Sequence, residues 1–168
     1  MNHSVQVHDQ FVLPGEWRVD FAPARLRTVL GSCVAITLWH PLHHCGGLCH
    51  YLLPSRFEKN VADINKAWRY GDEAFAAMSQ ALQQQSIPIM ECEAGIFGGG
   101  DMFPSNEEIS GVIGLRNIVQ AHLLIRDSGA HLITLDVADT ISRSIVFDLA
   151  NGKVLVKRQI KSRARRAE

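Results

Sequence analysis

Cys33 and His50 are the residues of this chain from which a reaction is most readily built. Cys33 closes the tetrapeptide Leu30-Gly31-Ser32-Cys33, and His50 follows seventeen positions later. A cysteine is nucleophilic as its thiolate, so it needs a base within reach, and two neighbouring strands can hold a Cys and a His side by side on one face. Gly31 permits close backbone approach and unusual dihedral angles, which could turn the amides of Gly31 and Ser32 toward a developing oxyanion. The plainer reading makes Cys33 a small buried hydrophobe and His50 a satisfied core histidine, and spacing alone favours it. A third reading is metal, because His40, His43, His44, Cys45, Cys49 and His50 put six potential zinc ligands into eleven residues. Against it, Cys45-x-x-x-Cys49 has no second Cys/His pair at finger-like distance, and adjacent strand residues face opposite ways, which parts Cys49 from His50. The cluster reads mainly as a histidine-rich hairpin loop, with a zinc-bound hairpin as the alternative. Gly98-Gly99-Gly100 lacks the Lys and Ser of a phosphate-binding loop, and no G-x-G-x-x-G occurs, which disfavours a nucleotide enzyme.

The elements that must position these residues follow from hydrophobic patterning. Residues 27–38 (RTVLGSCVAITL) are apolar and β-branched around Gly31-Ser32, so they read as one buried strand with a kink at its middle, and Cys33 sits on the kink. Turn residues at 40–44 and a second apolar run at 46–53, stopped by Pro54, make a hairpin partner carrying His50. Residues 60–65 read as a loop or short irregular turn. Residues 70–85 read as a helix, since Ala74, Ala77, Met78, Ala81 and Leu82 recur at helical spacing and Asp72 and Glu73 suit the positive end of its dipole. A strand at 89–97, a second helix at 114–127 ended by Gly129, and strands at 131–137, 144–149 and 153–157 complete the pass. Five or six strands and two helices in mixed order suggest sheets with helices packed on one side.

The chain has 168 residues, 46% hydrophobic and 20% charged, enough for one ordinary globular core and unlike disordered or fibrous compositions. The expected division is a single domain over 1–157 and a basic tail over 158–168. Residues 157–168 hold six of the 17 basic side chains and one of the 17 acidic ones, so the zero net charge conceals a mildly acidic body. A basic tail without interleaved aromatics reads as a solvated end, and nucleic-acid binding is not expected. With no long apolar run and a polar N-terminal segment, neither membrane insertion nor a secretory signal is expected, and the chain reads as cytoplasmic. Four cysteines, three of them within seventeen positions, are unlike a disulfide framework and read as free thiols.

T-V-L-G-S-C-V-A-I-T-L-W-H-P (28–41) followed by G-G-L-C-H-Y-L-L-P (46–54) resembles the signature of the chemoreceptor glutamine deamidases, the CheD family. The resemblance continues through residues 70–82, through I-F-G-G-G-D-M (96–102), which is similar to the family's F-G-G-x-x-M, through I-G-L-R-N (113–117), similar to its I-G-x-R-N, and into a closing hairpin at 147–156. It covers about residues 15 to 157. Three places depart from the pattern, the first being His43, His44 and Cys45, which are unusual in the hairpin turn. Cys49 stands where relatives have a small or amide residue, and D-V-A-D-T-I-S-R (136–143) lacks the glycines of the family's D-x-G-G-x-x-G-R.

The resemblance implies an α/β fold, a layered sandwich of mixed β-sheets packed on each other with helices covering one side, and a cysteine-dependent protein-glutamine glutaminase that needs no metal or cofactor, with a site similar to that of the cytotoxic necrotizing factor toxins. Its nucleophile falls on Cys33, its base on His50 and its third member on Thr28, with Gly31 and Ser32 in the cleft. The implied substrates are glutamines of methyl-accepting chemotaxis receptors, attacked by a thiolate paired with an imidazolium, and glutamyl methyl esters by the same route. The chemotaxis phosphatase CheC is an implied partner. A non-catalytic adaptor that docks on receptors or on that phosphatase is the alternative.

Overall fold

A computed structural model describes residues 6–56, 69–102 and 109–160. The reading of residues 60–65 and most of the basic tail fall outside the described residues. Two sheets stack face to face. One has four strands in the order β1-β3-β8-β9, built from β1 (His8–Phe11), β3 (Ala24–Leu30), β8 (Ile141–Asp148) and β9 (Val154–Ile160). The other has five in the order β2-β5-β4-β6-β7, built from β2 (Glu16–Phe21), β4 (Val34–His40), β5 (Cys45–Tyr51), β6 (Glu93–Gly98) and β7 (His131–Val137). Each sheet holds one parallel pair, β1 with β3 and β6 with β7, and is otherwise antiparallel.

Both helices, α1 (Gly71–Gln84) and α2 (Ile109–Ser128), contact strands of the five-stranded sheet. They cover the face turned away from the other sheet, which gives the expected α/β layering. Two apolar layers result. Between helices and sheet lie Phe75, Met78 and Leu82 of α1, Ile118, Ala121 and Ile125 of α2, and Ile36 and Ile96 beneath them. Between the sheets lie Leu26, Leu30, Ala35, Leu48, Phe97, Ile145 and Phe147. Full burial of a Leu, Met or Phe contributes about 1.5–3 kcal/mol against exposure, so each layer is a substantial part of the core.

The expected continuous kinked strand over 27–38 is two strands in different sheets. β3 ends at Leu30, β4 begins at Val34, and Gly31-Ser32-Cys33 carries the chain from one sheet to the other. The alternation of Ala24, Leu26, Thr28 and Leu30 toward the interior explains why the apolar pattern ran on unbroken, since both strands face the same inter-sheet layer. The hairpin is therefore β4 with β5, Ala35 standing opposite His50. The segment 89–97 opens as a short 3-10 turn at Ile89–Glu91 before β6. The helix expected from 114 begins at Ile109, and the strands expected at 144–149 and 153–157 run over Ile141–Asp148 and Val154–Ile160, three residues beyond Lys157. β1 and β2 arise from polar segments whose weak alternation had suggested no strand. Among the described residues no helix is long and apolar enough to cross a membrane.

Candidate active site

The sheet-switching corner sets Cys33 at the end of β4, where it is half-buried and packs against the inter-sheet layer that includes Ala35 and Leu48. Ala35 is paired with His50, and Cys33 lies two residues before Ala35, just outside the paired strand and against the layer to which Ala35 belongs. His50 is 1% exposed. Thr28, on the facing sheet, points into the same layer and brings its Oγ1 to 2.8 Å from His50 Nδ1. Thr28 and His50 thus meet across the two sheets, and Cys33, in the corner between β3 and β4, packs against the same inter-sheet layer.

The hydrogen bonds fix the tautomer of His50. The Thr28 hydroxyl donates to the Val12 carbonyl at 2.7 Å, so its one proton is committed and Oγ1 accepts from His50 Nδ1–H. The lone pair is then on Nε2, which is buried and has no partner among the described residues. A buried nitrogen in that state is costly, and a free lone pair on a neutral imidazole is what a general base requires. Burial lowers the His50 pKa to about 4, against a smaller opposing pull from the Val12 carbonyl. Burial also raises the Cys33 thiol, though its own backbone N–H favours the thiolate. Desolvation therefore disfavours charge on either group taken singly, so a thiolate–imidazolium pair would have to be held by the attraction of its two members.

Three consecutive carbonyls of the corner are tied outward. Gly31 O accepts from Gly100 N–H at 2.9 Å, Cys33 O accepts from Gly99 N–H at 2.8 Å, and Ser32 O accepts from the Asn117 side-chain amide at 3.3 Å. Across a trans peptide the C=O and the following N–H point opposite ways, so the Ser32 and Cys33 amides face away from these partners. Gly31 contributes a carbonyl to this bonding and lies against Met102, which leaves no room for a side chain without movement. The triple glycine is thus a clamp on the corner. A Cβ at Gly98 would sit 2.2 Å from Cys33 O, and the residue's φ of +101° is one that L side chains rarely adopt. Beyond β5 a cavity of about 380 Å³ opens, lined by Leu53, Pro54, Tyr70, Ile113 and Arg116 among others.

The histidine-rich hairpin does not converge. His40 bonds Glu91 at 3.0 Å, His44 bonds the Ala150 carbonyl at 2.8 Å, and Cys45 and Cys49 are fully buried. Among the described residues no group of three or more His, Cys, Asp or Glu side chains could hold a metal ion. Cys45, expected in a polar and accessible loop, is instead the first residue of β5 beneath the core, with burial and the Asp20 carboxylate pushing its thiol to about 11.

Sequence patterning missed the Val12 carbonyl, because β1 itself was not foreseen, and it assigned no part to Asn117 although I-G-L-R-N had been singled out. In the departing segment, Asp136 and Arg143 form an ion pair at 2.7 Å, with Arg158 as a second partner to the carboxylate. Burial alone would raise the Asp136 pKa, but these two guanidiniums hold it below the usual carboxylate range. Ala138 and Asp139, which occupy the positions of the pattern's paired glycines, take φ of 61° and 65°. The missing glycines therefore mark a left-handed turn that this chain makes with side chains in place. That turn abuts the clamp, with Ala138 N–H donating to Gly98 O and Asp101 N–H to Asp139 O.

Comparison with known proteins places this arrangement among relatives. Residues 52–158 match the family model CheD, described as CheD chemotactic sensory transduction, a segment that begins just after His50. The probable chemoreceptor glutamine deamidase CheD 2 of Albidiferax ferrireducens is 43% identical over 147 residues, 87% of this chain and 84% of that protein. The probable chemoreceptor glutamine deamidase CheD 1 of Chromobacterium violaceum is 38% identical over 88% of this chain and 76% of its own length. The corresponding Pseudomonas savastanoi protein is 38% identical over 95% of this chain and 89% of its own. A crystal structure of a Neisseria meningitidis protein superposes with a TM-score of 0.47 at 9% identity, covering 80% of this chain and 65% of that one, too slight a likeness to bear on function. With most of the chain matched by the family model and relatives aligned across both sheets, this chain belongs to the CheD family.

Proposed function

We propose that this protein deamidates glutamine side chains of methyl-accepting chemotaxis receptors, with Cys33 as nucleophile, His50 as base and acid, and Thr28 as the group that orients His50. The single observation that carries the reading is the Val12–Thr28–His50 hydrogen-bond chain, which leaves a buried, unpartnered lone pair on Nε2. The names of the relatives, probable chemoreceptor glutamine deamidases, supply the substrate class.

The reaction begins from the neutral pair. Nε2 takes the Cys33 proton as sulfur attacks the carboxamide carbon, so charge separates only when the substrate arrives. The carbonyl oxygen becomes an oxyanion, for which the outward-turned carbonyls of the corner leave the Ser32 and Cys33 amides as donors. Collapse breaks the C–N bond, His50 delivers its proton to the leaving nitrogen, and ammonia departs from a γ-glutamyl thioester. His50, neutral again, takes a proton from water as its oxygen attacks the thioester. Collapse of the second adduct releases glutamate and restores the Cys33 thiol. Glutamyl methyl esters reach the same thioester by loss of methanol. The cavity past β5, bounded by Leu53, Tyr70 and Ile113, offers an apolar wall to a receptor helix.

The test is incubation with a receptor cytoplasmic fragment. Deamidation raises fragment mass by about one dalton per site and releases ammonia, as a thioester route requires, and Cys33→Ala abolishes both. Unchanged mass across several cognate receptors overturns the reading. A signalling phenotype retained in Cys33→Ala points instead to the adaptor role.

A further inference from the structure

Asn117 is fully buried on α2 and reaches across to the site with its side-chain amide. Nδ2 donates to the Leu52 carbonyl at 2.8 Å and to the Ser32 carbonyl at 3.3 Å, using both of its protons. Its own main-chain carbonyl accepts from the Tyr51 hydroxyl, which anchors that turn of helix to the end of β5. Leu52 lies two residues beyond His50, and Ser32 shares a peptide with Cys33. One side chain therefore links the strand that carries the candidate base to the peptide that carries the candidate nucleophile.

The direction of that link is chemically informative. Ser32 C=O and Cys33 N–H are the two ends of one planar trans unit. Drawing the carbonyl toward α2 aims the Cys33 N–H the opposite way, toward its own thiol, where that N–H favours the thiolate. An N–H beside the attacking sulfur is also within reach of the oxygen on the carbon that sulfur attacks. Asn117 Oδ1, meanwhile, is buried with no hydrogen-bond partner among the described residues. As an aid to stability alone such a side chain is a poor choice, because an unpaired buried carbonyl costs about 1–3 kcal/mol.

We propose that Asn117 is a positioning residue for the deamidation, holding the Ser32–Cys33 peptide so that the Cys33 N–H meets the oxyanion. The role rests on the function proposed above. It separates two reactions of one sulfur. Amide attack creates an oxyanion and needs the aimed N–H, whereas alkylation by iodoacetamide is a displacement at carbon that creates none.

The experiment compares wild type, Asn117→Ala and Asn117→Asp in full-length protein, measuring kcat and KM on a receptor fragment and the alkylation rate of Cys33. Loss of an oriented oxyanion donor lowers kcat by about 10²-fold, with KM within about twofold of wild type and the Cys33 alkylation rate lowered only about threefold, the share owed to weaker support of the thiolate. A parallel fall in turnover and alkylation reduces Asn117 to a structural contact and overturns the proposal, as does unchanged turnover. Failure of the wild type to deamidate any cognate fragment overturns the function itself. If neither variant folds, wild type carrying ¹⁵N-cysteine is titrated with a glutamine-like peptide aldehyde. The expected result is a downfield shift of the Cys33 amide on hemithioacetal formation, and an unmoved amide overturns the role.

Discussion

Replacing Thr28 by valine removes one oxygen and keeps the shape, so its consequences can be worked from two distances. The hydroxyl donates to Val12 O at 2.7 Å and accepts from His50 Nδ1–H at 2.8 Å, in a side chain 1% exposed. Valine removes both hydrogen bonds, each worth about 1–3 kcal/mol when its buried partner is left unsatisfied, and the Val12 carbonyl and His50 N–H can partly compensate each other, so a loss of about 1–4 kcal/mol is expected. Only the weaker direct pull of the Val12 carbonyl then holds the His50 proton on Nδ1, and the tautomer with the proton on Nε2, useless as a base toward Cys33, becomes populated. Loss of tautomer control in a serine-protease triad costs about 10⁴-fold, so a fall in turnover of about 10²- to 10⁴-fold is expected. Urea unfolding reads the first effect, ¹⁵N imidazole shifts read the second, and receptor deamidation reads the third. Thr28→Ser, which restores the hydroxyl, should recover most of all three. A valine variant within about 0.5 kcal/mol of wild type, with an unchanged Nδ1–H tautomer, refutes the assignment of Thr28 as the group that orients His50.

Ala138→Gly should stabilise the protein by about 1 kcal/mol, since φ of 61° disfavours a side chain, and an unfolding midpoint that stays put or falls would count against the turn as described. His50 should make stability depend on pH with a definite sign: its folded pKa of about 4 lies below the unfolded value near 6.5, so its contribution is whole above pH 6.5 and is lost as pH falls toward 4. The full difference is about 3 kcal/mol, and His50→Gln should flatten that part of the pH profile; an identical slope in the variant contradicts the buried neutral imidazole. Cys33 should be alkylated first among the four thiols in peptide-resolved labelling, by about tenfold or more, because Cys45, Cys49 and Cys92 are fully buried with pKa values pushed to about 11, 12 and 12; faster labelling at any of those three would show that burial does not govern thiol reactivity here.

The legible part of this molecule was the part written in local pattern. The period of α1 and the β4–β5 hairpin follow from spacing within fifty residues. The sheet switch at Gly31-Ser32-Cys33 was illegible because strands facing one shared layer show the same alternation whether they lie in one sheet or two. Cys45 was misjudged because a turn-like sequence says nothing of what packs over it. The charge preference of each group is likewise set by desolvation, a property of the whole fold that spacing does not carry. Val12 acts through a backbone carbonyl and Asn117 through contacts 65 and 85 positions distant in the chain, and neither carries a signal in local composition.

The passage of the chain from one sheet to the other at Cys33 also bears on biosynthesis. Thr28 and Val12 belong with one sheet, His50 with the other, and Asn117 arrives with a helix made much later. Until the two sheets dock, the imidazole has no orienting hydroxyl and the thiol no oriented neighbour, so a nascent or partly unfolded chain carries only an ordinary cysteine. Amide-cleaving capacity would then appear in one step with completed assembly, and a misfolded copy would be harmless to the glutamines of other proteins without any inhibitor or propeptide to restrain it.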